Sequence, residues 1–135
     1  KWIYKLTSPL IKAYYYLDEK YNLAEQSLEQ KNILPILDEI IPYLVEDAVR
    51  KSLAEKYGLK ETIIQEKGLE IDGCLLRFQK PEILLEVKWG KLKQEEIRSI
   101  EEKLSSREAK QRILFVQDKK GIKSRLQVMD VGDLV

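Results

Sequence analysis

Two short stretches of this chain, Glu70-Ile71-Asp72 and Glu82-Ile83-Leu84-Leu85-Glu86-Val87-Lys88-Trp89, carry acids and a lysine at a spacing that could do chemistry. In a strand alternate residues share a face, so Ile83, Leu85 and Val87 point one way and Leu84, Glu86 and Lys88 the other. On the preceding strand Glu70, Asp72, Cys74, Leu76 and Phe78 share a face. A hairpin folding about residue 79 or 80 makes opposed residue numbers sum to roughly 158 or 160, which sets Asp72 opposite Glu86 or Lys88. Opposed residues of a regular ladder point to the same side. Parity alone therefore brings Asp72, Glu86, Lys88 and, more distantly, Glu70 to one place. Burying Glu86 and Lys88 in so apolar a strand costs several kcal/mol per ion unless they are paired or solvated. Two or three carboxylate oxygens beside a lysine are what a Mg²⁺- or Mn²⁺-dependent phosphodiester hydrolase needs. The hard cation takes oxygen ligands, polarises the phosphate and acidifies a water, and the lysine offsets developing charge.

The rest of the composition narrows the alternatives. Histidine is absent, which removes Ser-His triads, Cys-His dyads and histidine zinc sites. Cys74 is the only cysteine among 135 residues, so no internal disulfide forms, and a reducing, cytoplasmic setting is expected. Charged residues make up 35% of the chain, 24 basic against 23 acidic, and a net charge of +1 leaves no strong nucleic-acid footprint. Such dense, balanced Lys and Glu usage suggests a thermophilic source. No run of eighteen apolar residues occurs, so no membrane span is expected. The start at Lys1, without Met or signal sequence, reads as a piece of a longer protein whose upstream part is missing.

These residues need elements to position them. Residues 1–7 alternate like a strand end, and Ser8-Pro9 reads as a cap and first helical position. Leu10, Tyr14, Leu17, Tyr21, Ala24 and Leu28 then form a helical stripe. Its Tyr14-Tyr15-Tyr16 run suits packing on a neighbouring domain better than stacking of bases. Residues 33–41 read as a short apolar helix stopped near Pro42, followed by a helix from Tyr43 to Tyr57 that ends at Gly58. Its expected buried stripe is Val45, Ala48, Val49 and Leu53, with Glu46 at the edge. Strands follow at 59–66, 69–78 and 82–89, with a turn at Lys80-Pro81. Then come a helix at 92–106, a strand at 112–117, a turn at Asp118–Gly121 and a final strand between Arg125 and Val131. The fold class is α/β. The chain divides into an N-terminal helical segment, 1–42, and an α-β-β-β-α-β domain, 43–135. Trp89 is expected at the sheet's edge. Lys91, Lys93, Lys119, Lys120, Lys123 and Arg125 read as solvated surface, although they could contact phosphates.

At Glu46, Ile71-Asp72 and Glu86-Val87-Lys88 on this element order, the chain resembles the PD-(D/E)XK nuclease superfamily. More narrowly, it resembles the C-terminal domain of a large family of archaeal P-loop ATPases. In that family a stretch like Tyr4-Lys-Leu-Thr-Ser-Pro9 follows a winged-helix domain, and Glu-Ile-Asp and Glu-x-Lys-Trp elements come after it. The resemblance covers nearly the whole chain and implies a restriction-endonuclease-like core. It also implies that Asp72 and Glu86 are metal ligands for Mg²⁺ or Mn²⁺, Lys88 is the catalytic lysine and Glu46 is an auxiliary catalytic acid. The family's frequent tryptophan pair ahead of Glu-Ile-Asp is missing from residues 59–69. Three functions stay open: a metal-dependent nuclease acting on DNA, a catalytically inactive nucleic-acid-binding module, and a protein-interaction or regulatory domain of the ATPase.

Overall fold

The computed structural model describes residues 9–25, 27 and 29–135, so the expected strand at 1–7, the Ser8 cap and Leu28 lie outside the described residues. The chain divides into two compact units, Lys1–Leu44 and Val45–Val135. The described residues form a mixed α/β structure of three α-helices and a five-stranded mixed sheet. No helix among the described residues is long and apolar enough to cross a membrane.

In the first unit α1 runs from Pro9 to Tyr21, shorter than its apolar stripe suggested. The reason is local competition for hydrogen bonds. Asn22 turns to φ 52 and its N–H bonds the Asp18 carbonyl at 2.8 Å, while Asp18 Oδ1 takes the Ala24 N–H at 2.9 Å. A short polar side chain that binds nearby backbone in this way offers an alternative to continuing the helix. A 3₁₀ turn, Leu23–Glu25, follows. Ala13, Leu17 and Ile40 are buried, and Tyr14 and Tyr15 stay exposed, edge to face with centroids 5.7 Å apart. Tyr16 and Tyr21 instead donate to Glu39, at 3.0 and 2.5 Å, and Lys20 pairs with the same carboxylate. The Lys20 ammonium, seconded by the Tyr21 hydroxyl, holds the Glu39 carboxyl down to about 2.

The helix α2 is continuous from Gln30 to Tyr57, with both Pro35 and Pro42 inside it. The break expected near Pro42 does not occur. An interior proline loses one hydrogen bond and costs about 3 kcal/mol. Starting a second helix would require a new nucleus, and helical residues flank Pro42 on both sides, so propagation wins. The helix ends where Gly58 adopts φ 64. Its N–H reaches the Glu55 carbonyl at 3.3 Å, and Leu59 reaches back to Ala54 at 2.8 Å. Only glycine enters this left-handed position without penalty.

The sheet of the second unit has the order β1-β2-β3-β4-β5, with β1 Lys60–Glu66, β2 Leu69–Arg77, β3 Lys80–Lys88, β4 Gln111–Val116 and β5 Gln127–Met129. The first three strands form an antiparallel meander, whereas β3–β4 and β4–β5 pair in parallel. The β3–β4 crossover is α3, Gln94–Ser105. Phe78 and Gln79 make the β2–β3 turn, both at positive φ as a two-residue hairpin loop demands.

The two sheet faces explain why β3 is so apolar. Leu75, Ile83, Leu85, Val87, Ile113, Phe115 and Met129 pack with Val49, Leu53 and Ala54 of α2. Ile71, Cys74, Leu84, Leu114 and Val116 pack with Ile100 and Leu104 of α3. A central strand with helices on both sides has no solvated face. Each fully buried Leu, Ile or Phe contributes about 1.5–3 kcal/mol. The α2 stripe differs from expectation at two places: Ala48 is exposed, and Ala54 takes its place in the core. Trp89 packs against the α2-side cluster instead of capping the sheet's edge.

Candidate functional site

The end of β2 departs from a regular ladder. Its pairing with β1 matches Thr62 to Cys74 but Ile64 to Ile71, so Asp72 and Gly73 stand opposite the single residue Ile63. Two residues against one is a β-bulge. Its effect is visible in the core, where Ile71 and Cys74, three positions apart, join the same α3-side cluster. Gly73 is needed at this point, since a Cβ there would lie 3.0 Å from Leu85 Cβ directly across the ladder. The β2–β3 register is the one expected, with Cys74 opposite Leu84 and Gly73 opposite Leu85, but the bulge breaks the alternation of β2 between Ile71 and Cys74 and the ladder stops one pair short of Asp72 and Glu86.

Asp72 reaches β3 by another route. The β2–β3 register runs as far as Gly73 opposite Leu85, and beyond it Asp72 Oδ2 accepts the Val87 N–H at 2.9 Å. A strand's N–H lies in the plane of the sheet, so this carboxylate sits where the next ladder carbonyl would be, in the mouth between the two strands. Behind it, Arg50 of α2 donates from Nη1 to the Asp72 carbonyl at 2.7 Å. The same guanidinium bonds Asp47 at 2.9 Å, and Glu46 and Glu61 at 3.3 Å each. Arg50 thus ties α2, β1 and the bulge together.

On β3 the alternation is regular, and Glu86 follows Leu84 toward α3. Glu86 is only 1% exposed. Its Oε1 receives the Lys103 ammonium from α3, and Lys88 Nζ stands 3.8 Å from the same oxygen. Its Oε2 is buried without a hydrogen-bond donor among the described residues. Lys88 is partly exposed and lines a cleft with Glu96, Ser99, Ile100 and Lys103.

Charge ties these groups together. Burial, then the neighbouring Asp72 carboxylate, pushes the Glu86 carboxyl above its ordinary range, against the pull of Lys103 and Lys88. Burial also raises Asp72, opposed by the Val87 N–H and by Lys103 and Lys88. Glu46, on the α2 side, is raised by burial and by the Asp72 carboxylate, with Arg50 holding it back. The structure accordingly brings Asp72, Glu86 and Lys88 together, with Glu46 within electrostatic reach across the strand mouth. Glu70 is exposed on the β1 edge.

The donor set fits a hard divalent cation. A buried carboxylate oxygen without a donor leaves a desolvation cost of about 1–3 kcal/mol or more uncompensated, and a cation would remove it. Among the described residues no group of three or more His, Cys, Asp or Glu converges on one ion position. Mg²⁺ does not require such a cage, because one or two carboxylates usually hold it, with water and substrate phosphate completing the shell.

No family model, curated protein or solved structure matches the chain. The reading of the site therefore rests on its own geometry.

Two of its residues were not anticipated. Lys103 lies on α3 between Ile100 and Leu104, whose burial turns that helix face to the sheet; a lysine flanking this stripe was the available signal. Arg50 sits four residues after Glu46 and next to buried Val49, a spacing that points it at the β2 end. Elsewhere, Arg125 is bound to Glu101 at 2.7 Å and Lys119 to Asp133 at 2.8 Å. Cys74 is buried, which pushes its thiol up and makes it a poor nucleophile.

Proposed function

We propose that the Val45–Val135 unit is a divalent-cation-dependent hydrolase of DNA phosphodiesters, built on a restriction-endonuclease-like core. The observation that carries this reading is the buried Oε2 of Glu86, which has no donor among the described residues, on a carboxyl whose charge burial and the Asp72 carboxylate both oppose. The order α2-β1-β2-β3-α3-β4, with an antiparallel meander and one parallel crossover, supports the core assignment.

In this reading Asp72 and Glu86 hold Mg²⁺ or Mn²⁺, which when bound supplies Lewis acidity and an acidified water. Lys88, with its ammonium at the cleft, orients the water or offsets charge building on the phosphate. Glu46, with its carboxyl raised, is the auxiliary acid that can hold a proton at the α2 side of the strand mouth. Arg50 keeps the bulge, and with it Asp72, in place. The resemblance further assigns the domain to the C-terminal end of a cytoplasmic archaeal ATPase, with the winged-helix and ATPase parts of the same protein as its partners.

A second reading, a catalytically inactive DNA-binding module, draws support from Lys103, which already neutralises Glu86. Incubating the chain with plasmid and linear DNA in millimolar Mg²⁺ or Mn²⁺ separates the two. The hydrolase reading expects nicking or cutting that EDTA abolishes. Salt-dependent binding with intact DNA under both cations would overturn it in favour of the second.

A further inference from the structure

Acids and cations alternate around the strand mouth. Three buried or half-buried acids, Glu46, Asp72 and Glu86, face three cations: Arg50, Lys88 and Lys103. Arg50 is committed to the α2 side, where it holds Glu46, Asp47, Glu61 and the Asp72 carbonyl. Lys88 stands off at 3.8 Å. Lys103 is different, because its ammonium makes the one direct hydrogen bond to the Glu86 carboxylate among the described residues. It comes from a separate element, and its side chain is 28% exposed, so its long stem can swing out into the cleft it shares with Lys88 and Ser99.

We propose that Lys103 is a tethered counter-ion that competes with the divalent cation for the Glu86 carboxylate, so that loading of the site is favoured when an anionic ligand draws Lys103 away. This rests on the hydrolase reading, and it adds a regulatory device that neither the Glu-x-Lys element nor the strand parity contains. The physical basis is simple Coulomb arithmetic. A dication approaching Glu86 meets an ammonium already on Oε1, and like charges a few ångströms apart in a half-buried site repel strongly even with generous screening. A phosphate entering the cleft reverses the balance: it supplies the oxygens that Lys103 and Lys88 can bind, and it leaves Glu86 to the metal. Metal and anion then load cooperatively, through differential affinity for the two positions of one side chain.

The sign of the effect separates this role from a structural one. If Lys103 merely supported the fold, its removal would loosen Glu86 and weaken cation binding. If it is a counter-ion, its removal strengthens binding. The test is Mn²⁺ titration of the full chain, followed by the electron paramagnetic resonance of free Mn²⁺, for the native protein, Lys103→Met and Lys103→Gln, with Asp72→Asn in the Lys103→Met background as the site control. Thermal melts of the same samples report folding. The expected result is Mn²⁺ affinity raised about tenfold or more in both Lys103 variants and lost again when Asp72 is neutralised. Adding a short phosphorothioate oligonucleotide is expected to tighten Mn²⁺ on the native protein and to change the Lys103→Met protein much less. Equal or weaker affinity in the variants overturns the counter-ion role while leaving the metal site standing. Absence of Mn²⁺ binding in every protein overturns both.

Discussion

Asp72→Asn is expected to reduce cation-dependent DNA cleavage by a factor on the order of 10³ or more while leaving the domain folded. The substitution is nearly isosteric, and its amide oxygen can still accept the Val87 N–H that now binds Oδ2 at 2.9 Å. The Arg50 bond to the residue-72 carbonyl is untouched. What disappears is the charge that makes the carboxylate a cation ligand and that raises Glu86 and Glu46. Relieved of that repulsion, the metal-free variant should melt at or above the native temperature. Glu86→Gln is a less clean probe, because it also leaves Lys103 without its acid. Cleavage assays with Mg²⁺ and Mn²⁺, beside melts of the same preparations, check both halves. Undiminished cutting by a folded Asp72→Asn protein would show that the chemistry resides elsewhere.

The same crowded acids set the pH dependence of stability. Glu46, Asp72 and Glu86 all have carboxyls raised in the folded state, each chiefly by burial. A raised acid binds more protons folded than unfolded between its ordinary and its raised pKa. Stability therefore falls as pH rises through that interval. Glu101 and Asp133 are lowered by their hydrogen bonds to Arg125 and Lys119, and Glu39 is held to about 2. Their contribution has the opposite sign, and it is lost only as the solution is acidified below the ordinary carboxylate range of about 4. Above the ordinary carboxylate range the strand-mouth acids decide the slope. In EDTA the melting temperature is expected to fall as pH rises from 5 to 8. Millimolar Mg²⁺ should restore much of it at pH 8 and little at pH 5, because cation and protons compete for the same oxygens. A flat profile, or a Mg²⁺ effect independent of pH, would contradict the clustering of these charges.

Much of the fold was legible because its signals are local. The unbroken apolar run of β3 identified a central strand, Gly58 marked the end of α2, and the Ile97, Ile100 and Leu104 spacing marked α3. Pro42 misled because a proline's cost is fixed and local, whereas helix continuity is cooperative over the whole of Gln30–Tyr57. Glu86 and Lys88 share a face by strand alternation, which holds along β3. The bulge at Asp72 was hidden, because it is fixed by register against β1 and by the contact of Gly73 with Leu85, and both are long-range. Asp72 reaches the site through the Val87 N–H, not through parity. Lys103 was hidden for a related reason. One lysine on a helix rich in charge is marked only by its place beside the Ile100 and Leu104 stripe, and its meaning comes from the acid that the sheet places beneath it.

The proposal stands or falls on whether Asp72 and Glu86 can share one ion. Crystals soaked in Mn²⁺, measured at a wavelength giving anomalous signal from the metal, test this directly. Anomalous density is expected in the strand mouth, about 2.0–2.3 Å from an oxygen of each carboxylate, with Glu86 Oε2 among the ligands. Saturating Mn²⁺ that leaves Glu86 bound only by Lys103, with no density beside Asp72, would contradict it.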